Sequence, residues 1–457
     1  MAPQNQDPAL DSGEPPDHYA SHLAKVNESN TVTASQDVYN ERGVLILRKG
    51  AALTHQAAAQ LLKHRLARPL DQQVQLQTTL NRHSIKQDFS KLLERFPDLQ
   101  QTHSALRFPQ EFDLIVDRWD FPPLLAQKLT VMREQMPVEY QKGLFVAWLS
   151  SLVARELALG QGAMSAVYVA GLVHDIGLMH IDPSIVGKST AVTAVEWRAI
   201  QSHVVIGKVI LDGIGASDPR IARAVLEHHE RCDGIGYPLG KTANELDVLG
   251  QIIATADAMQ AIRVNQFAKV GRNLRDLHAH LQMNANVHTR PVYEAMSALL
   301  RRSGVAPTTV NPLGQLGVLV THLRRHWVAL SKVSAYVETL LQLVQKIQFG
   351  DKNKGLRLVF ERLLDVITQS GLMQPELEAW LSHAERQPDP ATLPELTTMD
   401  LMLHELRWQL QDSHRAIRQL LEPPPSDPTP EFLALRQMAE EMSVALEGLA
   451  PPSEGAR

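Results

Sequence analysis

Six histidines and aspartates limit the folds open to this chain more than any other feature: His174, Asp175, His203, His228, His229 and Asp257. Each lies in or beside a segment whose apolar residues recur with a helical period, and glycine, proline or polar breaks separate the segments. Gly143 to Leu159 is apolar on a broad face and stops at Gly160 and Gly162. A helix from about Ala163 delivers His174 and Asp175 near its C-terminal end, before Pro183. Val195 to Leu211 carries His203, Ile221 to His229 carries the twin histidines, and Leu249 to Ile262 carries Asp257. Ligand-type residues on four helices call for a bundle whose interior collects them. The expected fold class is therefore mainly α, with a central helical bundle between a small N-terminal α+β unit and a C-terminal helical domain.

At 457 residues the chain is long enough for two or three domains. Residues 1–35 are polar, with Pro, Asp, Ser and Asn prominent, and disorder is expected there. Residues 36–83 read as a small α+β input or docking unit. In it, Val44-Leu45-Ile46-Leu47 forms a short buried strand after the turn Asn40 to Gly43, and Thr54 caps a helix reaching about Arg65. Leu70 to Gln77 returns as a second strand. A helical linker over 84–137 precedes the ligand-bearing domain, 138–303, and a C-terminal helical domain, 304–450. There, Leu316, Leu323, Leu330, Val337 and Val344 are spaced by sevens, with Val320, Trp327, Ser334 and Leu341 at the second heptad position. Such a seam packs inside the chain's own bundle or joins a homodimer. Further helices are expected over about Leu356 to Gln369, Thr398 to Leu421 and Glu431 to Leu449. Pro423-Pro424-Pro425 marks a break, and 451–457 a disordered tail.

The net charge of −5 argues against binding duplex nucleic acid, which needs basic residues to neutralise phosphates. Cys232 is the only cysteine, so no intrachain disulfide forms, and a reducing compartment is expected. Beside a turn, its expected role is structural rather than reactive. The first residues carry acids and prolines with no lysine or arginine, unlike a secretory leader. The most apolar stretch, Gly143 to Ala154, falls short of the roughly 20 residues that span a bilayer. No membrane span is expected, and the expected location is cytoplasmic.

Adjacent imidazole and carboxylate groups, joined by two adjacent imidazoles, are the raw material of a divalent-metal site. A carboxylate bridges two cations with its two oxygens, and neutral imidazoles fill the outer positions. Nitrogen and oxygen donors without a thiolate suit Fe, Mn, Ni or Zn. Taken alone, His203 reads as an ordinary helix histidine, and Asp257 as an acid that is costly to bury unless paired or metal-bound. Only their order between and after the two clusters raises them. His180 has suitable chemistry but no supporting spacing and is left out.

The sequence His174-Asp175-Ile176-Gly177, and then His228-His229-Glu230 followed by Asp233-Gly234-Ile235-Gly236-Tyr237-Pro238, resembles the HD-GYP branch of the HD-domain phosphohydrolases. The resemblance runs from about Val138 to Ser303. Members of that branch are metal-dependent phosphodiesterases that open the bacterial second messenger cyclic di-GMP. The resemblance thus implies a central HD-type helical bundle and two divalent metal ions, with His174, Asp175, His203, His228, His229 and Asp257 as ligands. Asp175 bridges the ions and is the catalytic residue. Asp233, Gly234, Gly236, Tyr237 and Pro238 shape the substrate pocket, and their loop offers a docking surface for a signalling protein.

The chain also departs from that pattern. Lys142 stands where the family has a further histidine, and an ammonium cannot ligate a metal. Leu178 replaces a lysine after the His-Asp-Ile-Gly run. Gln251 replaces an arginine, and Gln266-Phe267-Ala268 lies roughly where an Arg-Pro-Tyr-Arg run is usual. Lys142 is expected either to reach the substrate phosphate or to be solvated. Two functions follow: an active phosphodiesterase on cyclic di-GMP or a related dinucleotide, or a degenerate sensory or docking module that keeps the fold.

Overall fold

Tyr19, Leu23 and Val26, with Ala20 and Ala24, line one side of a short helix, α1 (Tyr19–Val26), and all five are buried. The computed structural model describes residues 18–119, 121–188, 190, 192–215, 218–308, 316–346, 351–422 and 428–447. Order therefore begins well before residue 35, because α1 has an apolar face to bury. The rest of the expected disordered segment, 1–17, lies outside the described residues, as do Pro423-Pro424-Pro425 and the 451–457 tail.

Strand β1 (Val32–Ala34) is followed by β2 (Val38–Tyr39), β3 (Leu45–Leu47), α2 (His55–Leu61) and β4 (Val74–Leu76). β1 pairs antiparallel with β4, setting Val32 against Leu76, and β2 pairs antiparallel with β3. The strand expected at Val44 to Leu47 is present but not buried: Val44 is exposed, since its two-stranded ribbon leaves a face to solvent. Thr54 Oγ1 accepts a hydrogen bond from Ala57 N at 3.2 Å and starts α2, which stops at Leu61, short of Arg65.

The expected linker is instead a packed stack of four helices, α3 (Arg82–Arg95), α4 (Pro97–Ala105), α5 (Pro109–Arg118) and α6 (Pro123–Gln135). The last three open with a proline at the first or second helical position. Proline is pre-set for a helix start but disfavours helix in the residue before it, so the prolines cut this stretch into short helices. Lys128 on α6 is fully buried, 2.7 Å from Asp71 Oδ2, 3.2 Å from His180 Nε2 and 4.1 Å from the Tyr19 ring centroid. His180 in turn stacks on Tyr19, with ring centroids 5.1 Å apart, so the N-terminal residues pack onto the bundle that holds the ligands.

His103 on α4 is buried among Phe89, Phe108 and Phe112. Its Nδ1 accepts a hydrogen bond from Trp148 Nε1 at 3.2 Å, which requires the neutral ring. Burial lowers its pKa to about 4. An unfolded chain takes up this proton below about pH 6.5. The stability contributed by neutral His103 is complete above that pH and declines as pH falls toward 4. Urea midpoints measured between pH 7 and 4 are expected to fall less steeply in a His103→Phe variant, which lacks the titrating group.

α7 (Pro137–Glu156) and α8 (Gln161–Val173) cross at backbone distance. A Cβ on Gly143 would lie 2.5 Å from Leu172 O, and one on Gly171 would lie 2.8 Å from Ala147 Cα. The segment Gln161–His180 is long and apolar enough to cross a bilayer, which Gly143 to Ala154 is not, yet 83% of its apolar window is buried in the bundle. After it come α9 (Pro183–Val186), α10 (Ala194–Gln201), α11 (His203–Ile214), α12 (Pro219–Glu227) and α13 (Val248–Asn265). The single helix expected over Val195 to Leu211 is two, broken at Ser202. α14 (Leu277–Met283) follows, and α15 (Arg290–Arg301) completes the bundle region.

The chain divides into two compact units, residues 1–262 with 286–304, and 263–285 with 305–457. The border expected near 304 is thus crossed by residues 263–285, which belong with the C-terminal helices. Those are α16 (Leu316–Lys346), α17 (Asp351–Gln369), α18 (Pro375–Arg386), α19 (Leu393–Leu421) and α20 (Pro430–Glu447). On α16, Leu323, Leu330, Val337 and Val344 are fully buried in a core shared with Phe360, Leu381, Leu410 and Phe432. The heptad seam is therefore filled within the chain and is not open for a homodimer.

Candidate metal centre

Most of the ligand-type residues sit at helix ends rather than mid-helix. His174 caps the C-terminus of α8, and Asp175 follows in the turn before a 3₁₀ segment, Ile176–His180. His203 is the first residue of α11, His228 and His229 follow α12, and Asp257 lies within α13. Gly177 makes this convergence possible. A Cβ there would meet His203 O at 2.0 Å, so only glycine lets the 3₁₀ turn press against the start of α11.

Three of the imidazoles are oriented in the same way. His174 Nδ1 is 2.8 Å from Gly171 O, His203 Nδ1 is 2.7 Å from Ile200 O, and His228 Nδ1 is 2.7 Å from Val225 O. A carbonyl only accepts, so each Nδ1 carries a proton and each Nε2 is turned inward. His203 Nε2 is 3.3 Å from Asp175 Oδ1, and His228 Nε2 is 3.9 Å from the same oxygen. His174 Nε2 is 3.1 Å from Asp175 Oδ2 and 3.6 Å from Asp257 Oδ1.

This arrangement fits a metal. His203 Nε2 and His228 Nε2 are only 3.3 Å apart, and with both Nδ1 atoms protonated, two lone pairs face each other. His174 Nε2 and Asp257 Oδ1 are buried without a hydrogen-bond partner. A divalent cation beside Asp175 would take up the facing lone pairs of His203 and His228, and positive charge at the second group would satisfy Asp257 Oδ1. Asp175, His203, His228 and His229 supply one group of donor atoms within 4.8 Å of one another, and His174, His228 and Asp257 supply a second.

The electrostatics agree. Burial holds His203 below its usual pKa, burial and the neighbouring His229 hold His228 well below, and burial brings His229 to about 4. All three rings are neutral, as ligation requires. His174 differs, since Asp175 overcomes its burial and raises it to about 9. Burial also opposes ionisation of Asp175, but the His174 imidazolium and Lys142 outweigh it and hold the carboxyl well below the usual range. For Asp257, burial is likewise overcome, chiefly by Lys142.

Lys142 is neither solvated nor distant. Its Nζ lies 2.8 Å from Asp175 Oδ2 and 2.8 Å from Asp257 Oδ1, the former a hydrogen bond and the latter an ion pair outside hydrogen-bond geometry. The other departures are structural. Leu178 is buried, and Gln251 donates from Nε2 to Glu230 O at 3.3 Å while accepting from Cys232 Sγ at 3.6 Å. Burial raises the Cys232 thiol to about 11, in keeping with an unreactive role. His180 faces Lys128 and Tyr19 rather than the centre.

In the loop after His229, Tyr237 lies over the His229 ring at 4.7 Å and is flanked by Trp197 at 6.2 Å. Gly236 packs against backbone, since a Cβ would fall 2.5 Å from Glu230 Cα, and Gly234 has φ +74°. Asp233 is held by Arg231, with Nε at 3.0 Å and Nη2 at 2.5 Å. The Tyr237–Pro238 peptide bond is cis. Of this set Tyr237 stacks on a ligand ring, Gly236 lies against the His229 backbone, and Asp233 and Gly234 fix the loop's path. Sequence reasoning assigned no role to two acids that hold the loop. Glu230 accepts from Leu239 N at 2.6 Å and Lys241 N at 2.9 Å. Glu227 accepts from Lys241 Nζ at 2.5 Å, Arg223 Nε at 2.8 Å and Asp247 N at 2.8 Å. The only available signal was their place beside the twin histidines.

Residues 121–290 match the family model of the HD domain. The match is confined to this segment, and its Asp233–Pro238 loop resembles the HD-GYP branch. It is 31% identical over 162 residues to 3'3'-cGAMP-specific phosphodiesterase 3 of Vibrio cholerae, a match covering 35% of each chain. It is 30% identical to a cyclic di-GMP phosphodiesterase of Thermotoga maritima, covering 34% of this chain and 42% of that one. The matched region thus spans well under half of either relative. Among solved structures, Bd1817, a HDG"Y"P protein from Bdellovibrio bacteriovorus, is similar at 15% identity with a TM-score of 0.32, covering 59% of this chain and 95% of that one. That overlay is too loose to bear on the argument.

Proposed function

We propose that the HD domain of this chain is a metal-dependent phosphodiesterase acting on a cyclic dinucleotide, cyclic di-GMP or 3'3'-cGAMP. The observation that carries this reading is the group formed by Asp175, His203, His228 and His229. Its neutral imidazoles converge on one carboxylate oxygen, inside a domain whose named relatives hydrolyse such dinucleotides. A divalent cation held there, Fe, Mn, Ni or Zn by its donor set, supplies a water of lowered pKa and neutralises charge on the phosphoryl oxygens.

The chain's own residues do the rest. Carbonyls at Gly171, Ile200 and Val225 hold the three Nδ1 protons, so His203 and His228 can ligate without a proton moving, whereas His174, raised to about 9 by Asp175, must give one up. Asp175 turns one oxygen toward His203 and His228, and the other toward His174 and Lys142, so it orients both halves of the centre. Tyr237 covers His229 and restricts solvent on that side.

Purified full-length protein stripped of metal and reloaded with Mn²⁺ is expected to convert cyclic di-GMP or 3'3'-cGAMP to linear product, followed by chromatography, and to stop with chelator. A metal-loaded protein that turns over neither would favour the second reading, a docking module. The observation favouring that alternative is the exposure of Trp197, Ile235 and Leu239 on and beside the Tyr237 loop.

A further inference from the structure

We propose that the Lys142 ammonium takes the place of a second cation, so that the centre holds one divalent metal and one tethered positive charge. This rests on the reading of the site as a metal-dependent hydrolase. The first donor group is complete without Lys142, with three imidazoles and Asp175 Oδ1. The second group, His174, His228 and Asp257, has Asp175 Oδ2 beside it, and Nζ already stands 2.8 Å from both Asp175 Oδ2 and Asp257 Oδ1. A transition-metal cation binds carboxylate oxygen at roughly 2.0–2.2 Å. Any ion reaching both oxygens would share that space with a protonated amine that has no lone pair to offer.

The position of Lys142 is built into the helix crossing. Gly143, the next residue, lets the α7 backbone meet Leu172 O, and Gly171 lets α8 meet Ala147. These contacts press the start of α7 against the end of α8, where His174 and Asp175 lie. The lysine stem is thereby carried inward, leaving 23% of its side chain exposed.

The charges also balance better this way. Asp175 and Asp257 against one divalent ion and one ammonium leave a single net positive charge, the complement of a phosphodiester monoanion. With a second divalent ion the same residues would carry three. Lys142 has three N–H donors, and only the one to Asp175 Oδ2 is in hydrogen-bond geometry, so a donor remains for a phosphoryl oxygen. The lysine thus supplies at the second position the charge neutralisation a metal would give, without the ability to activate water.

The test is metal stoichiometry, which needs no turnover. The full chain is stripped with chelator, titrated with Mn²⁺, and examined by elemental analysis and electron paramagnetic resonance. Wild-type protein is expected to hold one Mn²⁺ per chain with an uncoupled six-line spectrum. Lys142→His, which replaces the ammonium with a nitrogen ligand, is expected to hold two, with an exchange-coupled spectrum. Lys142→Met removes the charge without adding a ligand, and a second, weaker binding phase is expected. Two tightly bound, coupled ions in the wild type would overturn the inference while leaving the phosphodiesterase reading intact. No bound ion in the wild type would overturn both. A single binding phase in folded Lys142→His and Lys142→Met would show that the lysine does not occupy the second position.

Discussion

An Asp175→Asn variant is expected to lose its metal and to hydrolyse cyclic dinucleotide at least about 10³-fold more slowly, a loss of about 4 kcal/mol in transition-state stabilisation. The substitution keeps the shape of the side chain and removes only its charge and one acceptor. In the folded protein Asp175 is 3% exposed, and its oxygens lie 3.1 Å from His174 Nε2 and 3.3 Å from His203 Nε2. Among the described residues the other nearby acid, Asp257, pairs with His174 and Lys142 and shares a donor group with His174 and His228, but not with His203. Neutral asparagine would leave the His203–His228–His229 group without an anion, and three imidazoles alone bind a divalent ion less tightly. The check is Mn²⁺ content alongside turnover, with thermal unfolding in parallel to show that the bundle persists. A variant that kept its metal and stayed within tenfold of wild-type turnover would remove Asp175 from the mechanism.

The second large effect is structural. Gly177→Ala is expected to destabilise the bundle by more than about 3 kcal/mol, above the usual range for overpacking. The new methyl group would sit 2.0 Å from His203 O, 2.8 Å from His203 C and 2.9 Å from Gly207 N. All three are backbone atoms inside or starting α11, so no side chain can swing away. Relief requires the 3₁₀ turn and α11 to separate, which draws Asp175 away from His203. Metal affinity should therefore fall together with the denaturant midpoint. Gly213→Ala, also on α11 and with nothing near its Cβ position, is the control, and removal of a helix glycine there should stabilise by roughly 0.5–1 kcal/mol. Equal midpoints for the two variants would mean that the close approach at Gly177 is not needed.

Much of the site was legible in the sequence because its ligands fall at element ends, where glycine and proline punctuate the chain. The run His174 to Gly177 and the cluster His228 to Pro238 announce two such ends, and the structure brings His203 and Asp257 to the same place. What the sequence does not carry is direction. Nothing in the spacing of Lys142 tells whether its stem points to solvent or to Asp175, because that depends on how closely α7 and α8 approach. The glycines that set the approach, Gly143 and Gly171, look like ordinary helix interruptions when read alone. The break between α10 and α11 was hidden for a similar reason. Apolar periodicity runs through Ser202, and only the tertiary contact with Gly177 shows why a new helix starts at His203. At the other end of the chain, polar composition concealed α1, whose burial depends on surfaces supplied by α2 and by the distant α6.

The buried ion pair between Lys128 and Asp71 has a practical corollary for anyone shortening this protein. Trimming to the stretch that matches the HD domain, which begins at residue 121, would delete both Asp71 and Tyr19. Lys128 would then lose both its counter-ion and the ring that covers it, and the face of α6 that packs on α1 would be opened to water. His180 would lose its stacking partner at the same stroke, only five residues from Asp175. The smallest faithful fragment therefore starts ahead of Tyr19.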